Sequence, residues 1–148
     1  PNATEASLIL DIPLITNPVN AFNACKKFHN MGIKYVVITS IDDPNDKDTI
    51  HVVFSDINWK SNKYGYMKIN KIHGYWVGTG DLTSALIFIW FNKTNDLSIA
   101  VQNTMNTMQS IILRTKKLNS KELILVGKQT MQDMLKPNIV FKPELIKP

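Results

Sequence analysis

The first third of the chain carries two helical patterns of apolar residues. Asn2 and Glu5 stand three residues apart just before an apolar run, which is the spacing of a capping box at the start of a short helix. Pro18 opens a second helix, and Gly32 supplies its left-handed end. The predicted buried face of this second helix consists of Phe22, Cys25 and Phe28 or His29.

Three strands are predicted after these helices. Residues 33–38 are β-branched and almost continuously apolar, which is typical of a strand buried on both faces of a parallel sheet. This strand should end at Thr39 and Ser40, where an aspartate-rich turn begins. Residues 50–54 and 66–72 indicate two further strands, joined by a polar loop, WKSNKYG, that would form an antiparallel extension or flap.

The second half of the chain is predicted to be mainly helical. Residues 85–91 are apolar on every side, so we expect a helix buried in the centre of the domain. Residues 123–126 predict a last strand, and residues 130–135 a last helical turn. Between them lies a helix whose core-facing stripe consists of Val101, Met105, Met108 and Ile112.

Composition narrows the classes of partner. The net charge of +5, from 17 basic and 12 acidic residues, would suit nucleic acid, a membrane surface or phosphorylated small molecules. The lysines are scattered without an aromatic platform, so we expect no nucleic acid partner. No apolar run has the length of a membrane span, so we expect no membrane partner either. The lone Cys25 excludes an internal disulfide and favours a reducing, cytoplasmic location.

The motif with the clearest chemistry is VGTGDL, residues 77–82. Glycines ahead of a helix let several backbone N–H groups point the same way, and the first amides of a helix have no internal partner. Together with the helix dipole, such amides bind anions without any basic side chain. Gly78, Thr79 and Gly80 therefore form a candidate anion hole for a phosphate or a transferring phosphoryl group.

Asp81 adds a carboxylate beside this candidate anion hole. A carboxylate is a weak base, so it would receive an alcohol's proton only after the alcohol oxygen has begun to bond to phosphorus. Positioning and charge neutralisation would then supply most of the rate gain in phosphoryl transfer. A purely structural alternative stays open from the motif alone. In it the glycines only make a tight turn, and Asp81 is an N-cap contributing about 1 kcal/mol.

Three separate motifs, in matching order and spacing, resemble the carboxy-terminal half of the pyridoxal kinases, which belong to the ribokinase-like superfamily. They are residues 78–82, residues 36–40 and residues 1–6, and the similarity continues through Leu113-Arg114-Thr115. Sugar kinases of the superfamily more usually carry alanine where this chain has Thr79. The resemblance implies an α/β fold, the three-layer α/β/α sandwich of that superfamily. Residues 1–148 would form a single partial domain of it.

The resemblance also implies roles for individual residues. Asp81 matches the base for the 5′-hydroxymethyl group of the substrate, and residues 78–80 match the anion hole. Asn2, Thr39 and Ser40 match positions that contact nucleotide, and Glu5 matches a residue that helps to hold magnesium. Lys71 and Ile112 match a lysine near the phosphates and an apolar contact to adenosine, through more variable segments.

From the resemblance we expect ATP-dependent phosphorylation of pyridoxal, pyridoxine or pyridoxamine, with ATP and Mg²⁺ as ligands; it leaves a monovalent cation requirement open. The chain begins inside a motif and lacks the segment that holds most of the vitamer pocket. We therefore expect it to work together with that missing amino-terminal half. The resemblance also implies a homodimer, which is common in the family. Two alternatives stay open: a hydroxymethylpyrimidine-type kinase of the same superfamily, and a nucleotide-binding fragment without catalytic activity.

Overall fold

The computed structural model describes residues 1–59 and 64–146, so the middle of the predicted WKSNKYG loop lies outside the described residues. Two compact units are present: Pro1–Lys71 with the carboxy-terminal segment from Pro143, and Ile72–Lys142. The single partial domain remains a prediction. The elements in chain order are α1 (Ala3–Leu10), α2 (Pro18–Asn30), β1 (Tyr35–Asp43), β2 (Asp46–Asp56), β3 (Tyr64–Asn70), α3 (Thr79–Thr94), α4 (Leu97–Lys117), α5 (Lys128–Leu135) and β4 (Glu144–Ile146).

The first two helices begin and end as the sequence predicts. The Asn2 side chain accepts a hydrogen bond from the Glu5 amide, and the Glu5 carboxylate accepts one from the Asn2 amide, both at 2.8 Å. These reciprocal bonds pair two N–H groups at the start of α1 that would otherwise lack partners. Helix α2 starts with Pro18 and is followed by Gly32 at φ +89°. The capping box and the glycine stop are therefore confirmed.

The sheet of the first unit is antiparallel throughout, in the order β1-β2-β3-β4. The prediction of a parallel sheet is wrong for β1, whose only parallel pairing in the described residues is an isolated bridge between Asn2 and Thr39. Burial along β1 alternates, with Val36, Ile38 and Ile41 inside. One face is thus buried against the helices, as is common for antiparallel sheets.

The core of this first unit lies between α1, α2 and the covered face of the sheet. Phe22 of α2 stacks on Tyr64 of β3 with ring centroids 4.4 Å apart. An aromatic pair of this kind adds about 0.5–1.5 kcal/mol beyond the area that it buries. The buried side chains of this cluster include Ala6, Ile15, Cys25, Phe28 and Val53. The predicted buried face of α2 is therefore confirmed, and Cys25 is a core residue.

The second unit is built on the helix pair α3 and α4. Leu86 and Trp90 of α3 pack with Ala100 and Met108 of α4. The predicted stripe of α4 is inside the fold: Met108 and Ile112 belong to this core, and Val101 and Met105 are buried. The prediction that residues 85–91 are buried on every side is wrong in this chain, because Phe88 is 70% exposed and Ile89 57% exposed. Helix α3 packs against α4 through one side only.

Residues 123–126 do not form the predicted strand. The segment after Ser120 makes only an isolated parallel bridge, between Glu122 and Val77. Further along, the amide of Ile124 donates to the Thr115 hydroxyl, and the carbonyl of Ile124 accepts from the Thr130 hydroxyl. Side chains of the neighbouring helices therefore satisfy the backbone groups that a neighbouring strand would otherwise satisfy.

Candidate active site

The start of helix α3 is formed by Gly78 at φ +89° and ψ 4°. The first amide bonded inside the helix is that of Leu82, which donates to the Gly78 carbonyl at 3.1 Å. Within residues 1–59 and 64–146, no protein group accepts a hydrogen bond from the amides of Thr79, Gly80 or Asp81. These three amides are therefore available to an anion, as the motif predicts.

Asp81 is the third residue of helix α3, and its side chain is exposed. The helix cap is Gly78, and no side chain makes a capping hydrogen bond there, so the alternative in which Asp81 is an N-cap is wrong. No hydrogen bond or salt bridge ties its carboxylate to the described part of the chain. A carboxylate next to unpaired amides is thus free to face a bound substrate.

Asn2, Glu5 and Thr39 lie together in the first unit. Asn2 forms the isolated bridge with Thr39, and the Thr39 amide donates to the Pro1 carbonyl at 3.1 Å. Asn2 also shares the capping box with Glu5. Asn2 and Glu5 therefore form the predicted capping box. One carboxylate oxygen of Glu5 takes no part in the capping hydrogen bond.

Ser40 adopts a left-handed backbone conformation inside a strand, with φ +55°. Ile38 pairs with Val53 and Ile41 with His51, so Thr39 and Ser40 together oppose a single residue of β2. This is a β-bulge, and β1 continues beyond it to Asp43 instead of ending at Ser40 as predicted. A non-glycine residue in this conformation costs about 1–2 kcal/mol, and such strain is often found at ligand sites.

Lys71 makes an ion pair that sequence reasoning missed. Its Nζ atom lies 2.5 Å from Oδ1 of Asp42, which belongs to β1 two residues after Ser40. The Lys71 amide also donates to the Asp48 carbonyl at 2.8 Å. Asp42 was part of an ordinary turn cluster in the sequence, and only the pairing of β1, β2 and β3 brings it to Lys71.

Ile112 lies on α4 and is partly buried against the core of the second unit. Its side chain thus has a packing role in the described structure. Thr39, Ser40 and Lys71 belong to the first unit, whereas Asp81 and Ile112 belong to the second. The structure therefore places the predicted residues in two local groups.

His29 and His51 make hydrogen bonds inside the fold, and Cys25 is buried. His29 bonds the Ser55 hydroxyl through Nε2 at 2.9 Å, and His51 bonds the Tyr66 hydroxyl through Nδ1 at 2.8 Å. Burial raises the pKa of the Cys25 thiol to about 12. In the part of the chain that the structure describes, no cluster of three or more His, Cys, Asp or Glu could hold a metal ion by itself. No described helix has the length and apolar character needed to cross a membrane.

The fold and the start of α3 define an α/β protein in which three unpaired amides open a helix beside the exposed carboxylate of Asp81. The chain belongs to the phosphomethylpyrimidine kinase family, whose family model matches residues 1–125.

Among curated proteins, the chain is 37% identical over 135 residues to a pyridoxal kinase of Dictyostelium discoideum, covering 87% of this chain and 44% of that protein. It is 32% identical over 123 residues to the pyridoxal kinase of Homo sapiens, covering 78% of this chain and 39% of that protein. The chain therefore spans less than half the length of these relatives.

Solved structures show the same relationship. The pyridoxal kinase of Entamoeba histolytica matches with a TM-score of 0.84 and 26% identity, over 99% of this chain and 50% of that one. Plasmodium falciparum PdxK, solved with AMP-PNP and PL, matches with a TM-score of 0.83 and 27% identity, over 99% and 48%. The predicted resemblance to pyridoxal kinases and the partial ribokinase-like α/β fold are confirmed.

Proposed function

We propose that this chain is the nucleotide-binding and catalytic half of an ATP-dependent kinase that phosphorylates the 5′-hydroxymethyl group of pyridoxal, pyridoxine or pyridoxamine. The observation that carries the proposal is the start of α3, where three unpaired amides adjoin the exposed carboxylate of Asp81. The names of the relatives support the substrate class, since several proteins similar to this chain are named pyridoxal kinase.

The chemistry follows from these groups. The amides of residues 79–81 hold oxygens of the transferring phosphoryl group and stabilise the charge that develops on them. The substrate hydroxyl oxygen forms a bond to the γ-phosphorus while the bond from that phosphorus to the β,γ-bridging oxygen breaks. ADP leaves, and the hydroxyl proton passes to the carboxylate of Asp81.

Five residues are proposed to contact the nucleotide. Asn2, Thr39, Ser40 and Lys71 contact the phosphates or the nucleoside, and Ile112 contacts the adenosine. Plasmodium falciparum PdxK, which is 27% identical to this chain, has been solved with AMP-PNP, and this likeness supports the nucleotide contacts.

Glu5 fits a role beside Mg²⁺. Proteins usually bind this ion through one or two carboxylates together with substrate phosphates and water, so a larger cluster of acidic residues is not required. One oxygen of the Glu5 carboxylate accepts the capping bond from Asn2, which fixes the side chain at the start of α1. When bound, Mg²⁺ would neutralise charge on the ATP phosphates. The open question of a monovalent cation is settled by varying K⁺ and Na⁺ in the assay.

A second candidate is phosphorylation of a hydroxymethylpyrimidine. The family description favours it, and the likeness to a putative phosphomethylpyrimidine kinase structure supports the fold of that branch as well. A third candidate, a nucleotide-binding fragment without catalysis, is favoured by the limited coverage of the relatives. The proposal adopts the vitamin B6 reaction because Thr79 follows the pyridoxal kinase pattern.

The test measures phosphorylated product formed from ATP by this chain, alone and together with the amino-terminal half of a pyridoxal kinase. Pyridoxal and hydroxymethylpyrimidine are supplied in parallel reactions. The proposal expects pyridoxal 5′-phosphate from the assembled kinase and none from the chain alone. Product from hydroxymethylpyrimidine only would favour the second candidate, and ATP binding without either product would favour the third.

We also propose that the protein is a homodimer and that it is located in the cytoplasm. Light scattering would check the oligomeric state, and cell fractionation would check the location.

A further inference from the structure

We propose that Thr115 and Arg114 of helix α4 are positioning residues for the amides at the start of α3. They act through the segment of residues 121–127, which pairs with Val77 directly before Gly78. The inference rests on the proposed function, because it gives these residues a part in holding the anion site.

The 121–127 segment is held at Ile124 by two threonine hydroxyls. Ile124 donates its amide to Thr115 Oγ1 at 3.1 Å, and its carbonyl accepts from Thr130 Oγ1 at 3.2 Å. Thr115 is fully buried, and Thr130 is almost so. Because the segment has no strand partner at this point, these two hydroxyls are the protein groups that fix its backbone at Ile124.

Arg114 orients the hydroxyl of Thr130. A threonine hydroxyl has one proton, so Thr130 can donate to Ile124 only if its other partner donates to it. Arg114 supplies that donor through Nη1 at 2.7 Å, and its Nη2 donates to the Asp133 carboxylate. The second Asp133 oxygen accepts from Gln129 at 3.1 Å. Arg114 therefore fixes both the hydroxyl that holds Ile124 and helix α5, which carries it.

The 121–127 segment is bonded to the residue directly before Gly78. The Val77 amide donates to the Lys121 carbonyl at 3.0 Å, three residues before Ile124. The Val77 side chain is 54% exposed, so side-chain packing holds it only partly in place. The backbone pair with the 121–127 segment is therefore the contact that sets where Gly78 and the following amides begin. A misplacement of about 1 Å in a reacting geometry can lower a rate by roughly 100-fold.

The test compares Thr115→Val with Thr115→Ser, which keeps the hydroxyl. Hydrogen exchange on the 148-residue chain should be faster by about tenfold or more at the amides of Ile124 and Val77 in Thr115→Val, since a 1.4 kcal/mol loss corresponds to tenfold. Exchange at Met108 in the core should be unchanged. In the assembled kinase, kcat should fall by about tenfold or more while the KM for ATP changes less than threefold, because positioning acts on the transition state.

The matched control is Thr104→Val. Thr104 is also fully buried on α4, and its hydroxyl has no partner in the described residues, so the same substitution should leave exchange at Val77 and kcat unchanged. If Thr115→Val does not fold, Arg114→Lys is tested in its place, since one ammonium cannot reproduce both guanidinium bonds. Exchange at Val77 and kcat should then change in the same direction but by less.

Three results would overturn the inference: unchanged exchange at Val77, equal acceleration at Met108, or a kcat equal to that of the wild type. Failure of the proposed function is a separate outcome. In that case the wild-type assembly makes no phosphorylated product, while the exchange pattern still decides whether Thr115 holds the 121–127 segment and Val77.

Discussion

Replacing Gly78 with alanine tests the backbone geometry on which the anion site depends. Gly78 has φ +89°, a conformation that L side chains rarely adopt, and a β-carbon there would meet no atom within 4 Å. The cost is therefore backbone strain without a steric clash. We expect Gly78→Ala to lower the free energy of unfolding by about 1–2 kcal/mol.

Gly80 offers a matched control two residues further on. It lies inside α3 without a positive φ, and a β-carbon there also meets no atom within 4 Å. Alanine is favoured over glycine inside a helix by roughly 0.5–1 kcal/mol, so Gly80→Ala should stabilise the chain. The two substitutions should therefore change the free energy of unfolding in opposite directions, and the two variants should differ from each other by about 1.5–3 kcal/mol.

Urea denaturation followed by circular dichroism measures both changes on the same preparation. Equal stability of Gly78→Ala and the wild type would refute the reasoning, because it would mean that the start of α3 does not use a left-handed residue. The orientation assigned to the following amides would then have no basis.

Three further predictions concern other parts of the chain. Gly65→Ala places a β-carbon 2.1–2.6 Å from three ring atoms of the buried Phe54, and thermal unfolding should show a loss of at least about 1–3 kcal/mol. Burial raises the pKa of Cys25 from 9.0 to about 12, so its contribution to stability is complete below pH 9 and is lost between pH 9 and 12. In alkaline denaturation, the free energy of unfolding of Cys25→Ala should therefore fall less steeply with pH over this range, by up to ~1.4 kcal/mol per pH unit. Glu5→Gln keeps an acceptor for the Asn2 amide, so stability should hardly change while the Mg²⁺ concentration for half-maximal turnover rises; an unchanged requirement would leave Glu5 with its capping role alone.

Local signals predicted the parts of the fold that depend on near neighbours. The capping box of Asn2 and Glu5, the Pro18 start and the Gly32 stop each involve residues a few positions apart. The glycines ahead of α3 were recognised for the same reason, although the helix begins at Thr79, six residues before the predicted 85–91 segment.

Pairing between distant segments was harder to predict from the sequence. An almost continuous apolar strand is typical of parallel sheets, but β1 pairs antiparallel with β2 and alternates in burial. The apolar residues 123–126 looked like a strand because a sequence does not reveal that Thr115 and Thr130 satisfy Ile124.

The candidate site follows the same division. Asp81 and its neighbouring amides could be predicted from one short motif. The Ser40 bulge and the ion pair between Lys71 and Asp42 could not, because both depend on the register of strands that are far apart in sequence.

The account is tested most directly by Asp81→Asn in the assembled kinase, with kcat and ATP affinity measured on the same protein. Asn keeps the size of the side chain but cannot take the proton, so kcat should fall by about 10²–10⁴-fold while ATP affinity stays within a few-fold. Asp96→Asn, at the start of α4, is the control, because asparagine can still accept the capping bond from Ile99 and turnover should be unchanged. Turnover by Asp81→Asn at the wild-type rate would contradict the central claim.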